Sequence, residues 1–172
     1  MWTDDIHRAF REAAVRQVAY VPDAGHAGLI EACRRDPAIA AVPLTTEEEG
    51  VALLADAWLG GQPGALLMQS SGVGNCINML AMTKTCSFPL AMFVTMRGQW
   101  REFNPWQMPM GQTAGEALAT AGVVVISVED PDEVGARAAA LNQAFVDGQA
   151  VALLLHQSLM PVKSFGTGTG GK

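Results

Sequence analysis

Four short stretches of the 172-residue chain carry residue types and spacings able to do chemistry: PDAGHAG at 22–28, TTEEEG at 45–50, QSSGVGN at 69–75 and RGQWREFNPWQMPMG at 97–111. The three successive glutamates stand at the start of a predicted helix, where the macrodipole favours negative charge. Thr46 and Glu49 have the spacing of a capping box, which gives Glu49 a structural role, and Glu47 is assigned to solvent. Glu48 has no such role. Ala52, Ala55 and Leu59 follow it on roughly one helical face, which turns its carboxyl inward or toward an interface. A carboxyl group among apolar neighbours can keep or share a proton near neutral pH, so Glu48 is a candidate catalytic acid or base.

QSSGVGN reads as a strand end followed by a glycine-permitted turn, with a helix from about Asn75. The backbone N–H groups of Gly72, Val73, Gly74 and Asn75 would then face a polar ligand. A dinucleotide fingerprint is excluded, because Ile77 stands where the third glycine belongs and no acidic residue ends the next strand. The chain has no GxxxxGK[ST] motif, and Ser71 is not in a GxSxG elbow. His26 is either a proton relay or substrate-steering group, or a plain polar loop residue. Arg97 and Arg101 are either forks for an oxyanion or solvated loop arginines. Gln69, Ser70 and Gln107 are candidate polar lining, and Trp100 and Trp106 either wall the site or pack on a partner.

Short apolar runs alternate with helical segments and would position these stretches. Six buried strands are expected at Gln17–Pro22, Ile39–Leu44, Ala65–Gln69, Leu90–Met96, Val123–Val128 and Val151–His156. Thr3–Val15 is expected to be a helix. Capping boxes are also expected at Thr113/Glu116 and Asp130/Glu133, with Pro131 at the first helical position. The rhythm implies an α/β fold: three α/β/α layers around a six-stranded, mainly parallel sheet. Residues 97–111 break the rhythm, as a functional loop would. One domain is expected over residues 1–163, with a flexible Gly/Thr-rich tail over 164–172.

Charged residues make up only 16% of the chain, below the roughly one quarter usual for globular domains, which fits either a face covered by another subunit or a merely Ala-rich domain. The net charge of −6, without a basic stripe, argues against nucleic acid. No apolar run reaches the roughly 18 residues of a spanning helix, and the N-terminus is charged and amphipathic. Three cysteines without a CxxC pair are expected to be buried free thiols in a reducing cytoplasm.

Glu48, followed by Ala55-Asp56-Ala57-Trp58, resembles the helix of thiamine-diphosphate decarboxylases in which a Glu precedes an Ala-Asp-Gly-Tyr-like stretch at this spacing. The EEEG helix start, the ALLMQSSGVGN strand–turn, and Arg97-Gly98 followed by Pro105, Gln107, Pro109, Met110 and Gly111 together resemble the α subunits of sulfopyruvate decarboxylase and the related phosphonopyruvate decarboxylases. The resemblance covers about residues 15–160. It implies the pyrimidine-binding fold, with Glu48 bonding N1′ of the cofactor's aminopyrimidine and promoting its imino tautomer for decarboxylation of a 2-oxo acid. It also implies a Mg²⁺–diphosphate site built on a GDG…N motif, which this chain lacks. The resemblance therefore implies no metal site in this chain and a diphosphate-binding β subunit that holds the Mg²⁺, in a hetero-oligomer such as α2β2. Carboligation, another 2-oxo acid, or a non-catalytic flavodoxin-like scaffold role remain open at this point.

Overall fold

A computed structural model describes residues 1–161, so the expected 164–172 tail lies outside the described residues. All six expected strands form, as β1 (Gln17–Tyr20), β2 (Ala40–Pro43), β3 (Gly64–Gln69), β4 (Leu90–Thr95), β5 (Val124–Val128) and β6 (Ala150–Leu155). They make one sheet in the order β2-β1-β3-β4-β6-β5, and every pairing is parallel. β3, β4 and β6 are buried almost throughout, which is why they read as unbroken apolar runs; edge strands β2 and β5 are only partly covered.

Helices cover both faces. One face carries α1 (Trp2–Glu12), α2 (Ala27–Arg35) and α7 (Val134–Asp147), packed through Ile6, Phe10, Leu29 and Leu141. Phe10 meets Phe93 of β4 edge to face, with centroids 5.0 Å apart, a favoured aromatic geometry that ties α1 to the middle of the sheet. The other face carries α3 (Glu47–Leu59), α4 (Ser70–Cys76), α5 (Ala81–Thr85) and α6 (Met108–Thr120), packed through Val51, Leu54, Val73, Leu80 and Leu118.

Several helix starts differ from expectation. Thr46 is the N-cap of α3 but makes no side-chain cap bond; Glu49 instead accepts the N–H of Thr45 at 2.9 Å. Thr113 lies inside α6, where its hydroxyl donates to the carbonyl of Pro109 at 2.9 Å. Asp130 caps a turn through the N–H of Asp132, and α7 begins only at Val134, so Pro131 belongs to the turn. The expected loop over 97–111 is irregular only as far as Asn104. Asn104 caps a 3-10 turn at Pro105–Gln107, and α6 follows at Met108. Both prolines occupy helix starts, where a missing N–H costs nothing.

The neighbours β1 and β3 lead into α2 on one face and α4 on the other, which makes the gap between them a switch point. The carboxyl-end crevice at such switch points is where open α/β sheets bind ligands.

Candidate active site

The glutamate trio divides by depth. Glu49 is exposed, Glu48 is half-buried, and Glu47 is buried rather than facing solvent. In the first turn of a helix each residue rotates about 100° from the last. Glu47 therefore points at α4, where its Oε2 accepts the Asn75 side-chain amide at 2.7 Å. Its carboxyl lies against Gly72: a Cβ there would come within 2.5 Å of it. Glu48 keeps its Oε2 buried without a hydrogen-bond partner. Both carboxyls lie near Cys76, whose thiol is pushed up to about 12 by burial first and then by Glu47 and Glu48. Behind Glu48 the expected apolar face is real at Ala55, whereas Ala52 and Leu59 are exposed in this chain, Leu59 by 85%.

The SSGVGN segment is not an open turn. It is helical from Ser70 onward, which commits the N–H groups of Val73, Gly74 and Asn75 to the helix and leaves, of the four, only that of Gly72 as a first-turn donor. Gly72 and Val73 are buried, Gly74 and Asn75 exposed. The glycines serve helix packing, Gly72 on Glu47 and Gly74 toward Met110 of α6.

A second group assembles where β1, β3, β4 and β6 end. Asp23, which sequence reasoning passed over beside His26, accepts from Thr95 Oγ1 at 2.7 Å, Gln69 Nε2 at 3.0 Å and the N–H of Gly25 at 3.0 Å. Burial pushes its carboxyl up. The bond from Thr95, the neighbouring His26, Gln69 and Gly25 outweigh that and hold it below the usual carboxylate range. His26 is fully buried and does not line the cleft. Its Nε2 faces the carbonyls of Phe93 (3.0 Å) and Met68 (3.3 Å) as a donor would, while Nδ1 is buried without a partner. Burial holds its pKa below the ordinary histidine value. Ser70, also buried, accepts the N–H of Arg97 at 3.1 Å.

Arg97 is not presented to solvent as a single cation. Its Nε and Nη2 both donate to Glu102 at 2.7 Å, a fork–fork pair. Glu102 also accepts from the N–H groups of Gly98 and Asn104 and from Gln157 Nε2. The Arg97 bonds first, then the other donors, bring its carboxyl down to about 2 against the effect of burial. The two glycines of the 97–111 segment are close-contact positions: Gly98 (φ +70) has Gln107 O against it, and Gly111 has no room for a Cβ beside Arg97 O. Gln107 Oε1 is buried without a partner.

A cleft of about 110 Å³ lies between these parts, with Asp23, Thr95, Arg97, Trp100, Arg101 and Gln157 among its lining. Of the candidate substrate residues Arg97 and Arg101 line it, and Gln69, Ser70 and Gln107 do not. Glu48 lines no part of it and belongs to the separate α3/α4 corner. Trp100 lines the cleft, whereas Trp106 is 86% exposed. Cys33 and Cys76 are buried thiols and Cys86 is exposed, so the expectation of burial fails for one of the three. Among the described residues no helix is long and apolar enough to cross a membrane, and no three His, Cys, Asp or Glu side chains form a metal-holding group.

The family model described as "Thiamine pyrophosphate enzyme, N-terminal TPP binding domain" matches residues 2–110. The sulfopyruvate decarboxylase subunit alpha of Methanococcus maripaludis is 34% identical over 132 residues, covering 76% of this chain and 79% of that one. That of Methanothermobacter thermautotrophicus is 32% identical over 158 residues, covering 91% and 96%. Among solved structures, 2-oxoglutarate:ferredoxin oxidoreductase from Magnetococcus marinus superposes with a TM-score of 0.75 at 18% identity; the match covers 92% of this chain and 29% of the other, and shows a shared fold.

Proposed function

The chain belongs to the thiamine pyrophosphate enzyme family through its N-terminal cofactor-binding domain, and from that membership we propose that it is the α subunit of a two-chain 2-oxo acid decarboxylase acting on sulfopyruvate or phosphonopyruvate. The observation that carries the reading is Glu48: a carboxyl at a helix start on the carboxyl edge of the sheet, with one oxygen buried and unpartnered. A buried oxygen without a partner costs roughly 1–3 kcal/mol, so its retention points to a partner supplied by a ligand. The weakly basic ring nitrogen of an aminopyrimidine fits that requirement.

When bound, thiamine diphosphate supplies the electron sink into which a 2-oxo acid loses CO₂. Glu48 holds or donates a proton at the pyrimidine nitrogen. Glu47 and Asn75 brace α4 against α3 and keep the Glu48 backbone in place, and Gly72 leaves the room that the Glu47 carboxyl occupies. His26 is a positioning residue that ties the β1–α2 turn to the ends of β3 and β4. Gln69 and Ser70 fasten that same edge, and Gln107, with its unpartnered buried oxygen, remains a candidate for substrate contact.

Diphosphate and Mg²⁺ fall to a partner chain bearing a GDG…N motif, in a hetero-oligomer such as α2β2. The exposed Leu59, Phe103 and Trp106 supply apolar surface for such a contact. Three unpaired thiols support a cytoplasmic location.

The test is co-expression of the chain with such a partner and assay of a 2-oxo acid panel. Turnover of sulfopyruvate or phosphonopyruvate that collapses in Glu48→Gln is the expected result. Turnover unaffected by that substitution removes the assignment.

A further inference from the structure

We propose that Arg101, stacked on Trp100 at the cleft, is the residue that recognises a terminal oxyanion on the substrate, and that Arg97 is the strut that holds it there. The sulfonate or phosphonate identity of that oxyanion rests on the decarboxylase reading above; the anion site itself rests on the geometry of the 97–104 turn.

The two arginines differ in what their charge faces. Arg97 is 13% exposed, and two edges of its guanidinium are committed to Glu102, which is itself 2% exposed. Its charge is cancelled before any ligand arrives. Arg101 is exposed and lines the cleft, its guanidinium carbon 4.8 Å from the centre of the Trp100 ring. Among the described residues no carboxylate lies within ion-pair distance of it. The aromatic face covers one side of the guanidinium plane and leaves its N–H edges free for a planar fork of oxygens.

The backbone points the same way. Arg101 has φ +48, a left-handed conformation that glycine adopts freely and a long L side chain does not. The turn holds it there from both sides. Ahead of it, Gln157 Oε1 accepts the N–H groups of Gln99 (2.9 Å) and Trp100 (3.1 Å), and Gln99 Oε1 accepts the N–H of Gln157 (3.2 Å). After it, Glu102 gathers Gly98, Asn104, Gln157 and Arg97. A side chain kept in a disfavoured conformation by so many bonds, beside a cleft, marks a functional position.

The cleft is bipolar. Asp23 stands on the β1 side as a carboxylate held by Thr95, Gln69 and Gly25, and Arg101 stands on the loop side. Asp23 disfavours an anionic group on the β1 side of the cleft, and Arg101 is the cation on the loop side that can pair with one.

The kinetic arm uses the complex of this chain with its diphosphate-binding partner and compares sulfopyruvate with pyruvate, which lacks the terminal anion. Arg101→Gln is expected to raise KM for sulfopyruvate by about 30-fold or more and to leave kcat/KM for pyruvate nearly unchanged. Arg101→Lys should recover part of the loss, and Arg97→Gln should weaken both substrates together with the folding of the turn. Equal loss on both substrates in Arg101→Gln, or no loss on either, overturns the proposal.

The binding arm titrates the full chain with sulfoacetate and follows the Trp100 indole N–H signal by NMR. A saturable shift in the wild type that disappears in Arg101→Gln is expected. Arg101→Gly, which relieves the left-handed conformation and so keeps the turn folded, must lose the shift as well. A shift that survives in either variant, or that never occurs, refutes the anion site. Arg101-dependent sulfoacetate binding without turnover of any 2-oxo acid would sink the decarboxylase reading and leave the anion site standing. Sulfopyruvate turnover indifferent to Arg101 would do the reverse.

Discussion

Glu48 and Glu102 are two half-hidden or hidden carboxyl groups on the same edge of the same sheet, treated in opposite ways. Glu102 receives five hydrogen bonds, from Arg97 Nε and Nη2, the N–H groups of Gly98 and Asn104, and Gln157 Nε2. Glu48 has one buried oxygen with none. A saturated carboxylate has nothing left to offer a ligand and serves to hold a turn. An unsaturated one stands in a state that only a further donor or acceptor completes. The difference separates structure from chemistry where residue type alone does not.

The largest expected effect lies at the unsaturated carboxyl. In the two-chain complex, Glu48→Gln should lower kcat by about 100-fold or more, in the range usual for loss of a proton-transfer group, with little change in thermal unfolding. A fall in stability of equal size without loss of kcat would reverse the roles assigned to the two glutamates.

Glu102→Ala should do the opposite. It leaves the Arg97 guanidinium buried and unpaired, and should cost about 3 kcal/mol in denaturant unfolding. The linked pH dependence has a definite sign. The folded Glu102 carboxyl lies at about 2, below its unfolded value of 4.5, so its contribution is complete above pH 4.5 and is lost as the pH falls toward 2. The wild type should show this acid loss and Glu102→Gln should not.

Gly111→Ala should come next, at about 1–3 kcal/mol, because the new methyl group meets the Arg97 backbone carbonyl and the contact is not with a movable side chain. The smallest effect is expected for Asn75→Ala, which removes one bond to Glu47 and should cost about 1 kcal/mol. If Asn75→Ala also lowers kcat without altering KM, the α3/α4 brace positions Glu48; if unfolding alone changes, the brace is purely structural.

The strands were legible because parallel, doubly covered strands have no choice but to be apolar; each was located to within two residues. Helix starts were not. Thr113 and Pro131 carry residue types that occur both at caps and elsewhere, and tertiary packing set the helix starts before or after them. Gly72 reads as a residue that lets the chain turn, whereas it and Gly111 are needed for the space they leave to Glu47 and Arg97. Within TTEEEG it is Glu48 that keeps an unpartnered buried oxygen, and the burial of Glu47 depends on α4 lying against it, a contact 28 residues away that no local pattern encodes. Asp23 escaped notice for the same reason: Gln69 and Thr95 come from other strand ends, and only the strand order brings them to it. Glu102 is bonded mostly within its own irregular turn, by Arg97, Gly98 and Asn104, where no periodic pattern marks it.

The central claim, that Glu48 is completed by the cofactor's pyrimidine, is tested most directly by exchange of the thiazolium C2 proton of thiamine diphosphate bound to the two-chain complex, measured by quenched-flow NMR in deuterated solvent. Exchange at least 100-fold slower in Glu48→Gln than in the wild type is expected, with Glu102→Gln close to wild type. Exchange at the wild-type rate in Glu48→Gln would contradict it.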